Sequence, residues 1–303
     1  MKKIVITGAT GFIGLNLVNT LISQNYKVVC LSRSIKSLDK LNENSKKLIT
    51  DYSVVELEEQ LKGCDILIHL AGRRITRDDR VNAIYPFVND ASKILDNLLE
   101  ACVRNKIKKI IIASSIGIYS DFNKVPYSEN DTPKPSTLYG LTKLFSEQRV
   151  DFFSRKYNID VAHIRLAQCY GYGEKSTPAL MNFIKKAINK EEIVLNNKGL
   201  YPIDEIYIED AIAAFIALIK VDRVGSFNIG SGRSYSILEL ATAVNQVFNN
   251  QGNLSILPFE CEIKDKHMDI RKAKNELNWK PKFSLENGLK SIKKFILDEE
   301  KNR

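Results

Sequence analysis

Tyr139 and Lys143 stand four residues apart in Leu138-Tyr139-Gly140-Leu141-Thr142-Lys143. That spacing puts both side chains on one helical face. A phenol by itself titrates near pH 10 and is a poor base at neutral pH. An ammonium beside it favours the phenolate, and such a pair can take a proton from a hydroxyl or return one. No other of the 12 tyrosines has a lysine four residues on. Upstream, the apolar run Ile110-Ile111-Ile112-Ala113 ends in Ser114 and Ser115. At the end of a buried strand, Ser115 can hydrogen-bond a reacting oxygen while Ser114 lines the adjoining space. The plainer readings are a chance pair in a lysine-rich chain and two serines that merely end a strand.

A third constellation holds charge. In the opening stretch MKKIVITGATGFIG, the β-branched run Lys3 to Thr7 reads as a buried parallel strand. Gly8, Gly11 and Gly14 follow at three-residue spacing, and an apolar pattern of helical period begins at Phe12 and Ile13. Strand, glycine turn and helix start in succession make a phosphate cradle, because the backbone can come close to a pyrophosphate and the helix N-terminus offers unpaired N–H groups. A dinucleotide in that cradle would accept a hydride while Tyr139 handles the proton.

The elements that position these groups alternate. Strands are expected at Tyr26–Leu31, Lys47–Thr50, Asp65–Leu70, Lys109–Ala113 and Asp160–Leu166, with helices at about Ala91–Asn105 and Tyr139–Tyr157. Alternation of this kind predicts an α/β fold, a Rossmann-type doubly wound parallel sheet over residues 1–166. Residues 167–303 read as mainly a smaller α+β substrate lobe, with some segments returning to the first domain. Its short strands are expected at Ile193–Leu195, Glu205–Ile208, Ser226–Ile229 and Leu254–Leu257, and Ser236 to Glu239 is a capping box opening a helix. The cleft between the two lobes is the expected ligand site.

Composition narrows the classes. The chain has 303 residues, of which 44% are hydrophobic and 27% charged, the balance of a soluble globular protein. Its longest apolar stretch, Ala211 to Ile219, falls short of a membrane span. The N-terminus enters a strand without a signal-peptide layout. Five scattered cysteines favour free thiols and a cytoplasmic location. Three histidines and no His/Cys/carboxylate cluster predict no metal; His69 and His163 lie within strand patterns. The net charge of +9 is spread along the chain without interleaved aromatics, which suits phosphorylated small ligands or a solvated surface rather than nucleic acid.

With these motifs in place, the chain resembles an extended short-chain dehydrogenase/reductase of the NAD-dependent epimerase/dehydratase family, whose members act on nucleotide sugars. The match runs nearly end to end. Thr7 to Gly14 is similar to the family's cofactor loop, and His69-Leu70-Ala71-Gly72 to its fourth-strand motif. Asn89 matches its helix asparagine, and Ser114 to Tyr119 its catalytic serine segment. Arg165 to Gly171, Asp210, Asn228 to Gly232 and Leu277 to Pro281 resemble further landmarks. The resemblance implies Ser115, Tyr139 and Lys143 as catalytic residues. It implies a cofactor site of Gly8, Gly11, Phe12, Ile13, Gly14, Ser32, Arg33, Asp51, Leu70, Ala71, Gly72, Asn89, Ser114, Tyr139 and Lys143. It also implies a homodimer through the helix near Ala91–Asn105 and the catalytic helix.

Several departures bear on the substrate. Ile116 and Gly117 stand where the family's dehydratases carry an acidic pair, which argues against dehydration. Ile203 takes the place of the arginine that often precedes the Asp204…Asp210 segment and grips the diphosphate. Lys264, Lys266, Arg73 and Arg74 are candidates to replace it, as against ordinary surface charge; Gln168 stands for a substrate-binding asparagine. The second strand ends Leu31-Ser32-Arg33-Ser34 instead of in an acid, so NAD and NADP both stay open: a guanidinium suits a 2′-phosphate. Asp51 sits where the family's acid touches the adenine. The leading expectation is a nucleotide-sugar C4 epimerase of the UDP-hexose or UDP-N-acetylhexosamine type, with Tyr139 deprotonating the C4 hydroxyl. The alternatives are an NADPH-dependent 4-keto-sugar reductase and a non-catalytic dinucleotide-binding protein.

Overall fold

A computed structural model describes residues 2–72, 81–174, 178–195, 202–257 and 265–301. The first half alternates as its sequence pattern demands. It runs β1 (Lys3–Thr7), α1 (Phe12–Ser23), β2 (Lys27–Ser32), α2 (Ile35–Leu38), β3 (Lys46–Ile49), α3 (Val54–Gln60), β4 (Ile66–His69), α4 (Val81–Arg104), β5 (Lys109–Ser115), α5 (Leu138–Tyr157) and β6 (Asp160–Leu166). There follow β7 (Gln168–Tyr170), α6 (Pro178–Ile188), β8 (Ile193–Leu195), β9 (Pro202–Ile203), β10 (Glu205–Tyr207), α7 (Ile208–Lys220), β11 (Gly225–Ile229), β12 (Tyr235–Ser236), α8 (Ile237–Val247), β13 (Leu254–Ile256), α9 (Arg271–Leu277) and α10 (Leu285–Lys301).

Seven strands form one sheet in the order β11-β6-β5-β4-β1-β2-β3. The pairs β1–β2, β1–β4, β2–β3 and β4–β5 are parallel. The chain winds outward from β1 to β3, then returns to the other side of β1 at β4. The strand order therefore reverses between β1 and β4, and a crevice opens at the carboxyl ends of those strands. One face of the sheet buries Val5, Leu31, Leu67, Ile110 and Ile112 against Leu57 of α3, Leu95, Leu98 and Leu99 of α4, and Val150 of α5. Burying each such side chain contributes about 1.5–3 kcal/mol, which anchors the three helices to the strands that end at the crevice.

The chain divides into two compact units, one of residues 1–122, 132–165 and 212–227, the other of residues 123–131, 166–211 and 228–303. Within the second, three small strand pairs (β7–β10, β9–β12 and β8–β13) are joined by helices. Buried Asp204 accepts bonds from the Ser231 and Met268 N–H groups, and Asp210 from those of Lys282 and Phe283. The Trp279 indole donates to the Asp210 carbonyl. The two aspartates that the resemblance ties to the substrate lobe thus spend their carboxylates on loop backbone. Ser236 and Glu239 close the expected capping box at the start of α8.

Several boundaries differ from the sequence reading. Helix α4 begins ten residues before Ala91, through Pro86, a residue type that normally breaks a helical pattern. Strand β5 runs on through Ser115, so both serines are part of the ladder. Ile208 opens α7 rather than ending a strand. Among the described residues no helix is long and apolar enough to cross a membrane, and no cluster of three His, Cys, Asp or Glu side chains could hold a metal ion.

Candidate active site

The glycine turn is built by close approach. Gly8 adopts φ +71° and lies so near β4's end that a Cβ there would stand 2.6 Å from the Ala71 nitrogen. A Cβ on Gly14 would stand 2.2 Å from the Gly8 carbonyl oxygen, so α1 packs directly on the turn. Gly11 caps α1 with its own backbone: its N–H donates to the Gly8 carbonyl at 3.1 Å and its carbonyl accepts from Leu15 at 2.9 Å. Leu15 is the first residue bonded within the helix, which leaves the N–H groups of Phe12, Ile13 and Gly14 as first-turn donors.

A cavity of about 760 Å³ opens over this turn. The loop after β1 lines it with Gly8, Thr10 and Gly11, and the end of β2 with Leu31, Ser32, Arg33 and Ser34. The end of β4 adds His69, Leu70, Ala71 and Gly72, while α5 adds Tyr139, Thr142, Lys143 and Ser146. Tyr52, Ile94 and Ile112 complete the wall. All of these belong to the first unit.

Helix α5 fixes the tyrosine. Thr137 caps it, its hydroxyl accepting from the Gly140 N–H at 3.1 Å, so Tyr139 is held in the first turn. Lys143 donates from Nζ to the Ala113 carbonyl at 2.8 Å, and Nζ lies 5.8 Å from the Tyr139 ring centre. Ser115 ends β5 and caps the short 3₁₀ turn Ile116–Ile118; its Oγ accepts from the Gly117 N–H at 3.1 Å, leaving its own proton to donate. A Cβ on Gly117 would lie 3.4 Å from Ser115 Oγ and 3.6 Å from Tyr139 Cδ1, so the tyrosine ring and the serine hydroxyl both pack beside this glycine. Ser114 is buried, and its hydroxyl finds no hydrogen-bond partner among the described residues. Ser114 shares a face of β5 with Ile112, which lines the cavity.

Other expected residues stand apart. Asp51 is exposed, and its carboxylate accepts from the Ser53 N–H at 2.6 Å; the lining from this turn is Tyr52. That bond, with the Ser53 hydroxyl and Glu56 beside it, holds the Asp51 carboxyl below its usual range. Ser32, by contrast, lines the cavity, its hydroxyl 2.9 Å from the Ser37 hydroxyl. Asn89 is exposed on α4 and outside the lining. Gln168, on β7 in the second unit, donates from Nε2 to Glu205 at 3.0 Å. Arg73, Arg74 and Lys264 lie outside the described residues.

Several lining residues went unread as ligand contacts, Thr142, Ser146 and Tyr52 among them. Thr142 and Ser146 follow Tyr139 at intervals of three and seven, the same helical stripe as Lys143, a signal present in the sequence. Tyr52 has a left-handed φ of +61°, which only the folded turn reveals. His69, expected as a satisfied strand-end histidine, is buried with Nδ1 2.7 Å from Thr7 Oγ1 and also borders the cavity. Burial, with the Lys143 charge added, depresses its pKa to about 3, so it is neutral at pH 7.

The sequence model of the NAD dependent epimerase/dehydratase family matches residues 4–230. The chain belongs to that family. A putative UDP-glucose 4-epimerase of Methanocaldococcus jannaschii is 30% identical over 95% of this chain and 96% of its own. The UDP-N-acetylglucosamine 4-epimerase from Bacillus cereus is similar in structure, with a TM-score of 0.87 at 29% identity, covering 98% of this chain and 97% of that chain. The UDP-glucuronic acid 4-epimerase from Bacillus cereus, solved with UDP-glucuronic acid and NAD, gives a TM-score of 0.85 at 26% identity over 98% and 99% of the two chains. The family is NAD-dependent, and the residues that line the cavity suit a dinucleotide. Gly11 adds no side-chain bulk, the N–H groups of Phe12, Ile13 and Gly14 remain as donors, and the Ser114 hydroxyl is buried with a hydrogen bond still to make.

Proposed function

We propose that the protein is a nucleotide-sugar C4 epimerase working on a UDP-hexose or UDP-N-acetylhexosamine with tightly held NAD. The observation that carries this reading is Tyr139 and Lys143 on the wall of a dinucleotide-sized cavity, with Lys143 bonded to the Ala113 carbonyl of β5 and the Ser115 hydroxyl meeting the Tyr139 ring at Gly117. Gly8, Gly11 and the start of α1 would hold the pyrophosphate, Arg33 and Tyr52 the adenosine end, Lys143 the ribose, and Ser114 the nicotinamide side. When bound, NAD supplies reversible acceptance of a hydride from a sugar carbinol.

The chain's own residues do the rest. Tyr139 takes the C4 hydroxyl proton at its phenol oxygen and gives it back after the sugar has presented its other face. Ser115 donates a hydrogen bond to the same sugar oxygen and orients it. Lys143 keeps a positive charge beside the phenol while bonded to the Ala113 carbonyl, which fixes where that charge sits. Ile116 and Gly117 put no acid or base next to Ser115, so nothing there drives elimination. The related proteins named for UDP-sugar 4-epimerisation support the same reading.

The direct test is turnover of a panel of UDP-sugars without added cofactor, with the bound dinucleotide released by denaturation and identified by mass. Interconversion of C4 epimers with NAD released is the expected result. Arg33 favours a second reading, an NADPH-dependent 4-keto-sugar reductase, because it lines the cavity where an acid would face the ribose hydroxyls. That enzyme would consume NADPH stoichiometrically and show no epimerisation. We further infer a homodimer. Leu141, Phe145 and Phe152 lie exposed on one face of α5, and a second copy would cover them; sedimentation of a Phe145→Glu protein tests it. A cytoplasmic location suits Cys30, Cys64, Cys102 and Cys169, buried free thiols among the described residues.

A further inference from the structure

Tyr139 and Lys143 are the first rungs of a longer ladder. Glu147 and Asp151 continue the interval of four along α5, and each pairs with β6. Glu147 takes two bonds from Arg165, Oε1 from Nε at 3.1 Å and Oε2 from an η nitrogen at 2.8 Å. Asp151 pairs with His163 Nε2 at 2.7 Å. The match is metrical: four helical residues rise about 6 Å and two strand residues about 6.6 Å, so alternate residues of β6 meet successive rungs.

The inner rung differs from the outer one. Arg165 and Glu147 are both buried, whereas Asp151 is partly exposed. Arg165 also donates from its other η nitrogen to the Tyr119 hydroxyl at 2.7 Å. Tyr119 closes the 3₁₀ turn that Ser115 caps, its N–H bonded to the Ile116 carbonyl at 3.0 Å. The guanidinium therefore ties the helix carrying Tyr139 to the turn carrying Ser115. These elements meet a second time at Gly140, where a Cβ would overlap the Gly117 carbonyl oxygen. Two attachments seven residues apart along α5, about 10 Å, govern both its distance from the turn and its tilt.

We propose that Arg165, acting through Glu147 and Tyr119, is a positioning residue that sets the separation of the Tyr139 phenol and the Ser115 hydroxyl. The proposal rests on Ser115 and Tyr139 being the reacting pair. A planar fork gripping a carboxylate in two bonds fixes rotation as well as distance, which an ammonium or an apolar contact of similar volume would not.

The test compares Glu147→Gln, Arg165→Lys and Tyr119→Phe with Asp151→Asn, each purified with its dinucleotide. Expected for the first two is a kcat about tenfold to a hundredfold below wild type, the range that roughly 1 Å of misplacement costs. KM for the sugar nucleotide and dinucleotide content should stay at wild-type values. Tyr119→Phe keeps the helix–strand pair and loosens only the serine side, so its loss of kcat is smaller. Asp151→Asn, which breaks the outer rung, should keep wild-type kcat. The proposal is overturned if Glu147→Gln lowers kcat no more than Asp151→Asn does, or if kcat and dinucleotide content fall and KM rises together with a loss of thermal stability. Should Arg165→Lys fail to fold, the Glu147 and Tyr119 proteins decide. Variants are scored as ratios to wild type on whichever sugar nucleotide it turns over, epimerised or reduced. Failure of the C4-epimerase reading would thus show in the wild type alone.

Discussion

Gly11 and Gly14 separate what the glycine turn does for the ligand from what it does for the fold. A methyl on Gly14 would sit 2.2 Å from the Gly8 oxygen and 2.7 Å from Ala9 backbone atoms. No flexible side chain can yield there, and restoring ordinary contact moves α1 by roughly 1 Å, an overpacking that costs about 1–3 kcal/mol. Gly14→Ala should therefore lower Tm, by about 2–4 °C per kcal/mol for a chain of this size, and weaken the dinucleotide as well, since the helix start moves with the turn. At Gly11 the added methyl meets only the Gly8 oxygen, at 3.3 Å, and otherwise faces the cavity. Gly11→Ala should lower Tm by only a few degrees, less than Gly14→Ala at the upper end of its range, because an alanine N-cap costs about 1 kcal/mol. It should lose dinucleotide affinity tenfold or more, roughly 1.4 kcal/mol, through bulk placed against the pyrophosphate. Thermal melts and calorimetric titration with NAD read the two effects separately. A Gly11→Ala protein that binds NAD as wild type does would show that the cavity is not used as a pyrophosphate cradle. A Gly14→Ala protein that melts as wild type does would refute the packing argument.

Three further outcomes follow from the site. Tyr139→Phe should lose about 10²–10⁴ in kcat, the range of general acid–base catalysis, with dinucleotide content unchanged; undiminished turnover would remove Tyr139 from the chemistry. Arg33→Ala should reduce affinity for NADP more than affinity for NAD, and an unchanged NADP/NAD ratio in paired titrations would dismiss the 2′-phosphate role. His69 sets a pH dependence: its folded pKa of about 3 lies well below the ordinary value of 6.5. As pH falls from about 6.5 towards 3, the unfolded chain binds a proton that folded His69 refuses, so this share of stability is present above pH 6.5 and lost on acidification. Denaturant midpoints at neutral and acid pH should differ less in His69→Gln than in wild type; an equal difference would contradict this.

The sequence alone determined whatever is local along the chain. The β1–turn–α1 unit, the pairing of Tyr139 with Lys143 and the capping box at Ser236 each depend on spacings of a few residues, where backbone geometry leaves little choice. The alternation of strands with helices likewise forced a parallel sheet, and with it a crevice at the strand ends. The tertiary structure decided everything that depends on which distant segments meet. Only the folded turn after β3 shows Tyr52 on the cavity wall and the Asp51 carboxylate bonded to Ser53. Only the adjacency of β1 and β4 brings Thr7 to His69, and only that of β6 with α5 joins Arg165 to Glu147. These contacts span 62 and 18 residues; periodicity carries no information over such separations, because they arise from strand order and from burial shared by elements the sequence reads one at a time.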